Sequence, residues 1–170
     1  MKKVVVIGIS GSGKSYFAAR LGEKLGIPVH HLDRMYWHPG WVKPDKDPFH
    51  AKIREIAAGN TWIVDGNYGR SLLERIDRAD AVFFLDLNKW YCMWQVLKRN
   101  WKHRGSTRAD MAEGCEEELS FRFLKGMILS SRSSPEILSV LEQVKDTKKV
   151  SIFRTRSEVN NFLNSLTVTR

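Results

Sequence analysis

Cysteine is scarce in this 170-residue chain, with only Cys92 and Cys115 present. The two lie far apart and match no zinc-ligand spacing, so a disulfide framework and a zinc module are both excluded and reduced thiols are expected. Prolines are few, and no tract rich in Pro, Gly or Ser marks a linker. No repeat is present, which rules out solenoid and propeller architectures. No apolar run approaches the roughly 18 residues of a membrane span. The short apolar run after Met1-Lys2-Lys3 is broken at Gly11, Ser12, Gly13 and Lys14, so it does not read as a signal peptide. No membrane and a cytoplasmic location are therefore expected. Acid is short relative to base, 19 Asp and Glu against 28 Lys and Arg, a net charge of +9. Such an excess attracts polyanions, whether nucleotides, nucleic acid or acidic membranes, and does not choose among them.

The chain is long enough for one domain with a real core. Lys3 to Ile9 (KVVVIGI) is a β-branched apolar run of the kind buried on both faces of a parallel sheet. Shorter runs at Val29 to Leu32, Thr61 to Val64, Ala81 to Leu85 and Lys149 to Phe153 predict four more strands. Helical spacing follows at Ser15 to Leu25, Asp45 to Gly59, Asn88 to about Lys102, Glu116 to about Leu129, Ser134 to about Lys145, and Ser157 to about Leu166. Asp47 and Ser157 are the expected N-caps of two of these helices. Strands alternating with helices predict an α/β fold with a parallel sheet and right-handed crossovers. Ligands bind such sheets at the carboxyl ends of the strands. Asp33, Asp65 and Gly8 to Ser15 all follow strands, so they should meet at one edge.

Gly8 to Ser15 reads GISGSGKS, the G-x-x-x-x-G-K-S pattern between a strand and a helix. Gly8, Gly11 and Gly13 let the backbone curl into a nest of N–H groups that faces phosphate. The following helix adds its positive N-terminal end. Lys14 would reach the β- and γ-phosphates of ATP, and the Ser15 hydroxyl would ligate Mg²⁺. Ser12 and Tyr16 belong to the same nucleotide-binding segment. Asp65 closes an apolar strand (WIVD), where an aspartate can hold a water on Mg²⁺ or orient an acceptor. Asp86 after VFFLD is the lower-ranked competitor.

Thr61 to Arg70 (TWIVDGNYGR) is similar to the strand-then-DGFPR segment of adenylate kinases, matching at Asp65, Gly66 and Arg70 with one residue inserted. More widely, GISGSGKS, LDRMYWHPGW (Leu32 to Trp41), VDGNYGR and RGSTRADMAEGCEEE (Arg104 to Glu118) resemble a bacterial branch of adenylate-kinase-like P-loop proteins, often called DNA topology modulation proteins. The resemblance implies a three-layer P-loop fold of the nucleoside-monophosphate-kinase type with strand order 2-3-1-4-5. It also implies ATP as donor, an acceptor-binding insertion at about 34–60 and a short lid at about 100–117, all within a single domain over 1–170. Where adenylate kinases carry a Thr-Gly-Asp segment, this chain has Asp33, Arg34, Tyr36, Trp37, His38 and Trp41, which puts AMP as acceptor in doubt. The lid also lacks the cysteine quartet of zinc-containing lids.

Asp33 is a candidate base or orienting group for an acceptor hydroxyl, or a local cap. Arg34, Trp37, Trp41, Asn67 and Arg70 are candidate acceptor-binding residues. The aromatic rings would either stack on an acceptor or form a satellite core. His30, His31 and His38 are expected in ordinary polar roles. Arg104 and Arg108 would bring guanidinium forks over the migrating phosphoryl group, with Arg99 less favoured. Trp90, Trp94, Leu97 and Trp101 share one helix face and read as a core stripe under a charged outer surface. The leading functional expectation is an ATP- and Mg²⁺-dependent kinase of a small acceptor, with nucleotides among the candidates. The alternative is a nucleotide-regulated DNA-binding protein, which no recognised nucleic-acid motif supports.

Overall fold

A computed structural model of the chain describes residues 1–103, 111–115, 124–127 and 135–166. Five strands form one sheet: β1 (Lys3–Gly8), β2 (Val29–His31), β3 (Trp62–Asp65), β4 (Ala81–Leu85) and β5 (Lys149–Phe153). Their order is β2-β3-β1-β4-β5, and every pairing is parallel. β1 is central, with Val5 beside Val64 on one side and Val82 on the other.

Alternation along the strands builds two cores. Val4, Val6, Ile63, Phe83 and Leu85 face one layer, where they meet Phe17 and Leu21 of α1 (Lys14–Leu25) and Val159 and Leu163 of the C-terminal helix. Val5, Ile7, Val64, Val82 and Phe84 face the other. There they meet Ile53 of α3 (Lys46–Ala58), Leu72 and Ile76 of α4 (Gly69–Arg78) and Leu141 of a helix near the C-terminus. This two-sided burial is why the strands read as continuous apolar runs rather than as alternating ones.

The remaining helices are α2 (Leu32–Tyr36), α5 (Lys89–His103), α6 (Pro135–Val144) and α7 (Arg156–Ser165). Helix α4 was not among the expected elements. Its charged residues hide a narrow apolar face at Leu72 and Ile76. Two caps differ from expectation. Asp45, not Asp47, occupies the N-cap of α3, and Asp47 lies inside its first turn. Thr155, not Ser157, caps α7, its hydroxyl accepting the Glu158 N–H at 3.2 Å. Asp33 also differs: the chain turns helical at Leu32, so Asp33 sits in the first turn of α2. Of the helix expected over 116–129, residues 124–127 are described and are helical; the rest lies outside the described residues.

The largest departure is on α5. Its core-facing residues are Cys92 and Val96, both buried. The expected core stripe points outward: Trp90 is 59% exposed, Trp94 53%, Leu97 40% and Trp101 85%. Spacing alone shows that these residues share a face, not which way the face points.

Candidate functional site

The P-loop joins the end of β1 to the start of α1. Gly11 (φ 80°) and Gly13 (φ 85°) adopt the left-handed conformation that L side chains avoid. At Gly11 a Cβ would also run into the carbonyl of Cys92, so α5 is packed directly on the loop. Gly13 is the N-cap of α1 and makes no side-chain cap, which leaves the first-turn N–H groups without a side-chain acceptor. The Ser12 hydroxyl is buried without a hydrogen-bond partner among the described residues. Left-handed glycines, an uncapped helix start and an orphaned buried hydroxyl together fit a bound phosphate group.

A cleft of about 740 Å³ opens above this loop. The loop contributes Gly11, Ser12, Gly13, Lys14 and Ser15 to its wall, and Tyr16 follows on α1. His31 and Arg34 close it from the β2–α2 side. Tyr91, Gln95 and Arg99, one turn apart along α5, close it from another. Arg156, the first residue of α7, completes it, with its guanidinium 4.9 Å from the centre of the Tyr16 ring. The wall is thus rich in cations, as a polyphosphate requires.

The second half of the site is the turn after β3. Asp65 is 3% exposed and accepts a hydrogen bond from His31 Nδ1 at 2.7 Å. Asn67 Oδ1 accepts the Gly8 N–H at 3.1 Å, tying this turn to the first residue of the P-loop. The Tyr68 hydroxyl donates to Asp33 Oδ1 at 2.8 Å. Burial, reinforced by the Asp33 charge, pushes the Tyr68 hydroxyl far above its ordinary pKa, so it stays a donor.

Arg75, wholly buried on α4, holds the turn from beneath. Its Nη1 donates to the Gly66 carbonyl at 2.9 Å and its Nη2 to the Tyr68 carbonyl at 3.3 Å. Burial lowers its pKa to about 10, against the opposing pull of Asp65, so it remains charged at neutral pH. Cys92, under the loop, is pushed up to about 11 mainly by burial and is an inert thiol at neutral pH.

Lys14, Ser15 and Arg34 therefore share one cleft wall. Asp65 is buried, is not among the residues lining the cleft, and reaches it only through its bond to His31. Asp33 is not among the residues lining the cleft and instead faces Tyr68. Tyr36 makes ring contacts with Trp37, Phe49 and Tyr68 at about 5 Å between centroids. Trp37 and Trp41 meet edge to face at 5.4 Å. Within residues 34–60, expected as an insertion, the rings pack on one another. Arg70 is 67% exposed and lies 3.9 Å from an exposed Asp47 carboxylate, a solvent-screened pair. Asp86 is buried at the end of β4, its N–H bonded to the Phe153 carbonyl. Arg104 and Arg108 lie outside the described residues.

The far end of the expected lid docks on the insertion. Gly40 N–H donates to the Gly114 carbonyl at 2.9 Å, and the buried Cys115 thiol donates to the His38 carbonyl at 3.2 Å. Among the described residues no group of three or more His, Cys, Asp or Glu side chains is placed to hold a metal ion.

Solved structures that share this architecture include two kinases. A sugar kinase from Janibacter sp. HTCC2649 superposes with a TM-score of 0.52 at 17% identity, over 96% of this chain and 91% of its own. A gluconokinase from Sinorhizobium meliloti 1021 superposes at 0.53 and 19% identity, over 96% and 87%. The fold is that of P-loop kinases. No protein-family profile matches the chain, and no curated protein matches it in sequence.

Tyr68, Arg75, Tyr91, Gln95 and Arg156 were missed from the sequence, while His31, expected in a polar role, bonds Asp65. A signal existed for two of them. Arg156 follows β5, and strand C-termini line the site in this class of fold. Arg75 lies three residues after Leu72 and one before Ile76, on what the structure shows to be the inner face of α4.

Proposed function

We propose that the chain is an ATP- and Mg²⁺-dependent phosphotransferase acting on a small acceptor. It is placed in the adenylate-kinase-like branch of cytoplasmic P-loop proteins that its sequence blocks resemble. One observation carries the reading: Lys14, Ser15, Arg34 and Arg99 surround a single cleft over an uncapped, glycine-bent P-loop. The loop amides and the Ser12 hydroxyl hold the donor's phosphates, and Lys14 meets the β- and γ-oxygens. Ser15 and Asp65 would hold Mg²⁺, which would supply charge neutralisation on those phosphates. Arg34, Arg99 and the lid residues Arg104 and Arg108 face the migrating group.

Asp33 receives a hydroxyl acceptor. Tyr68 fixes one carboxylate oxygen and leaves the carboxylate's remaining acceptor capacity for substrate. Trp37, Trp41, Asn67 and Arg70 border the acceptor. The fold shared with a sugar kinase and a gluconokinase is compatible with a hydroxylated acceptor. The test has two arms. ATP with Mg²⁺ should raise the thermal stability of the wild type and not of Lys14→Ala. ADP release should rise with one member of a panel of nucleoside monophosphates, nucleosides and hydroxylated metabolites. Equal stabilisation of both proteins would overturn the site, and an ADP rate unmoved by the whole panel would overturn the phosphotransferase reading.

A further inference from the structure

The outward face of α5 has no role in the phosphotransferase reading. Trp90, Trp94, Leu97 and Trp101 recur at spacings of four, three and four along its 15 residues. At about 1.5 Å rise per residue they form an apolar stripe about 16 Å long. All four are exposed, Trp101 the most at 85%. Soluble proteins seldom present contiguous aromatic surface without a partner for it. The helix itself is firmly seated: Asn88 Oδ1 accepts the Trp90 N–H at 2.9 Å at its start, and Cys92 and Val96 are buried beneath.

Charge narrows what the stripe can meet. Helix α5 contains Lys89, Lys98, Arg99 and Lys102 and no acidic residue. Lys98 Nζ lies 5.0 Å from the centre of the Trp94 ring, and Lys89 Nζ 5.6 Å from that of Trp90. A second copy of the same face would set lysines against lysines. A nucleic-acid strand would need open ring faces for its bases, yet an ammonium group sits over one face of each of these two rings, and Leu97 in mid-stripe cannot stack. Apolar projections flanked by ammonium groups suit a boundary between hydrocarbon and anionic headgroups, where tryptophan and lysine are both favoured.

We propose that the outward face of α5 docks peripherally on an anionic lipid surface. Trp90, Trp94, Leu97 and Trp101 enter the headgroup boundary, and Lys89 and Lys98 meet lipid phosphate and carboxylate. The opposite side of the same helix supplies Tyr91, Gln95 and Arg99 to the cleft, so docking sets the site about one helix diameter, ~10 Å, from the surface. No helix among the described residues is long and apolar enough to cross a membrane, so the contact is superficial and reversible.

The experiment is co-sedimentation with phosphatidylcholine–phosphatidylserine vesicles, against pure phosphatidylcholine vesicles. It is run with the wild type, W90S/W94S/L97S and K89E/K98E. Wild type should pellet only with the anionic vesicles, less at high salt, and brominated lipid should quench its tryptophan emission. Both variants should lose roughly tenfold or more in lipid affinity. ATP·Mg²⁺ thermal stabilisation, measured alongside, should be unchanged in both, which separates this proposal from the phosphotransferase reading. Wild type that ignores anionic vesicles, or variants that bind them equally, overturn the proposal. So does tryptophan quenching by oligothymidylate without lipid binding, which would make the face a nucleic-acid surface. Self-association abolished in the triple variant would make it a contact between copies and would overturn it too.

Discussion

Arg75→Met asks whether the turn after β3 is held from below. Methionine keeps most of the buried apolar stem and removes the guanidinium. Three carbonyls then lose guanidinium donors, Gly66 at 2.9 Å and Tyr68 and Ser71 at 3.3 Å each. Tyr68 still accepts from the Ser71 N–H and hydroxyl, so the loss falls mainly on Gly66. A stranded buried acceptor costs about 1–3 kcal/mol. Against this, the guanidinium no longer has to be desolvated, the effect that lowers its pKa to about 10. Asp65 loses its neighbouring cation and keeps only His31 as a bonded partner among the contacts described. Breaking one side of a buried charged arrangement typically costs about 3–5 kcal/mol, and the opposing term brings the expected net loss to about 3 kcal/mol. For a chain of this size that lowers Tm by about 6–12 °C. Urea unfolding gives the free energy, and scanning calorimetry gives Tm. The turn also carries Asn67, which accepts the Gly8 N–H, so ATP affinity should fall as well. Arg75→Lys, with a point charge and no fork, should recover part of both losses. Stability within about 0.5 kcal/mol of wild type, the range of ordinary surface changes, would refute the reasoning.

Three further outcomes are expected. Gly11→Ala places a methyl group against the Cys92 carbonyl and forces a left-handed L residue, so it should abolish ATP-dependent stabilisation and lower Tm; a normal thermal shift with ATP would contradict the packing of α5 on the loop. Thr155→Ala removes the cap of α7 and should cost about 1 kcal/mol in urea unfolding, while Ser157→Ala should cost little; the reverse order would show that Ser157 is the cap. Asp80 accepts the N–H groups of Lys2 and Lys3 at 2.6 and 3.0 Å, chiefly the first of which holds its carboxyl below the usual range. Its contribution is present above the unfolded pKa and is lost as pH falls through the lower folded value, so Asp80→Asn should flatten the acid side of the stability–pH curve; an unchanged acid slope would exclude it.

The order of the elements was legible because both faces of the sheet are buried. The short apolar runs at 3–9 and 81–85 suit inner strands, and β4 and β5 match their expected limits. The P-loop was legible because its chemistry needs glycine, lysine and serine at fixed spacing in a contiguous segment. Asp33 and Asp65 were expected beside it because strand C-termini converge in a parallel sheet; neither lines the cleft, Asp33 facing Tyr68 and Asp65 bonding His31.

Other features depend on through-space partners that spacing does not encode. Helix α4 was hidden because a helix lying on a sheet needs only a narrow apolar face, here Leu72 and Ile76. The His31–Asp65 and Tyr68–Asp33 bonds join residues 34 and 35 positions apart. The face of α5 shows the limit most clearly. Periodicity put three tryptophans and a leucine on one side of a helix, and by itself the chain determined that much. Which side met the core was settled by the tertiary structure, because the P-loop requires close backbone approach at Cys92 and so turns the tryptophans toward solvent.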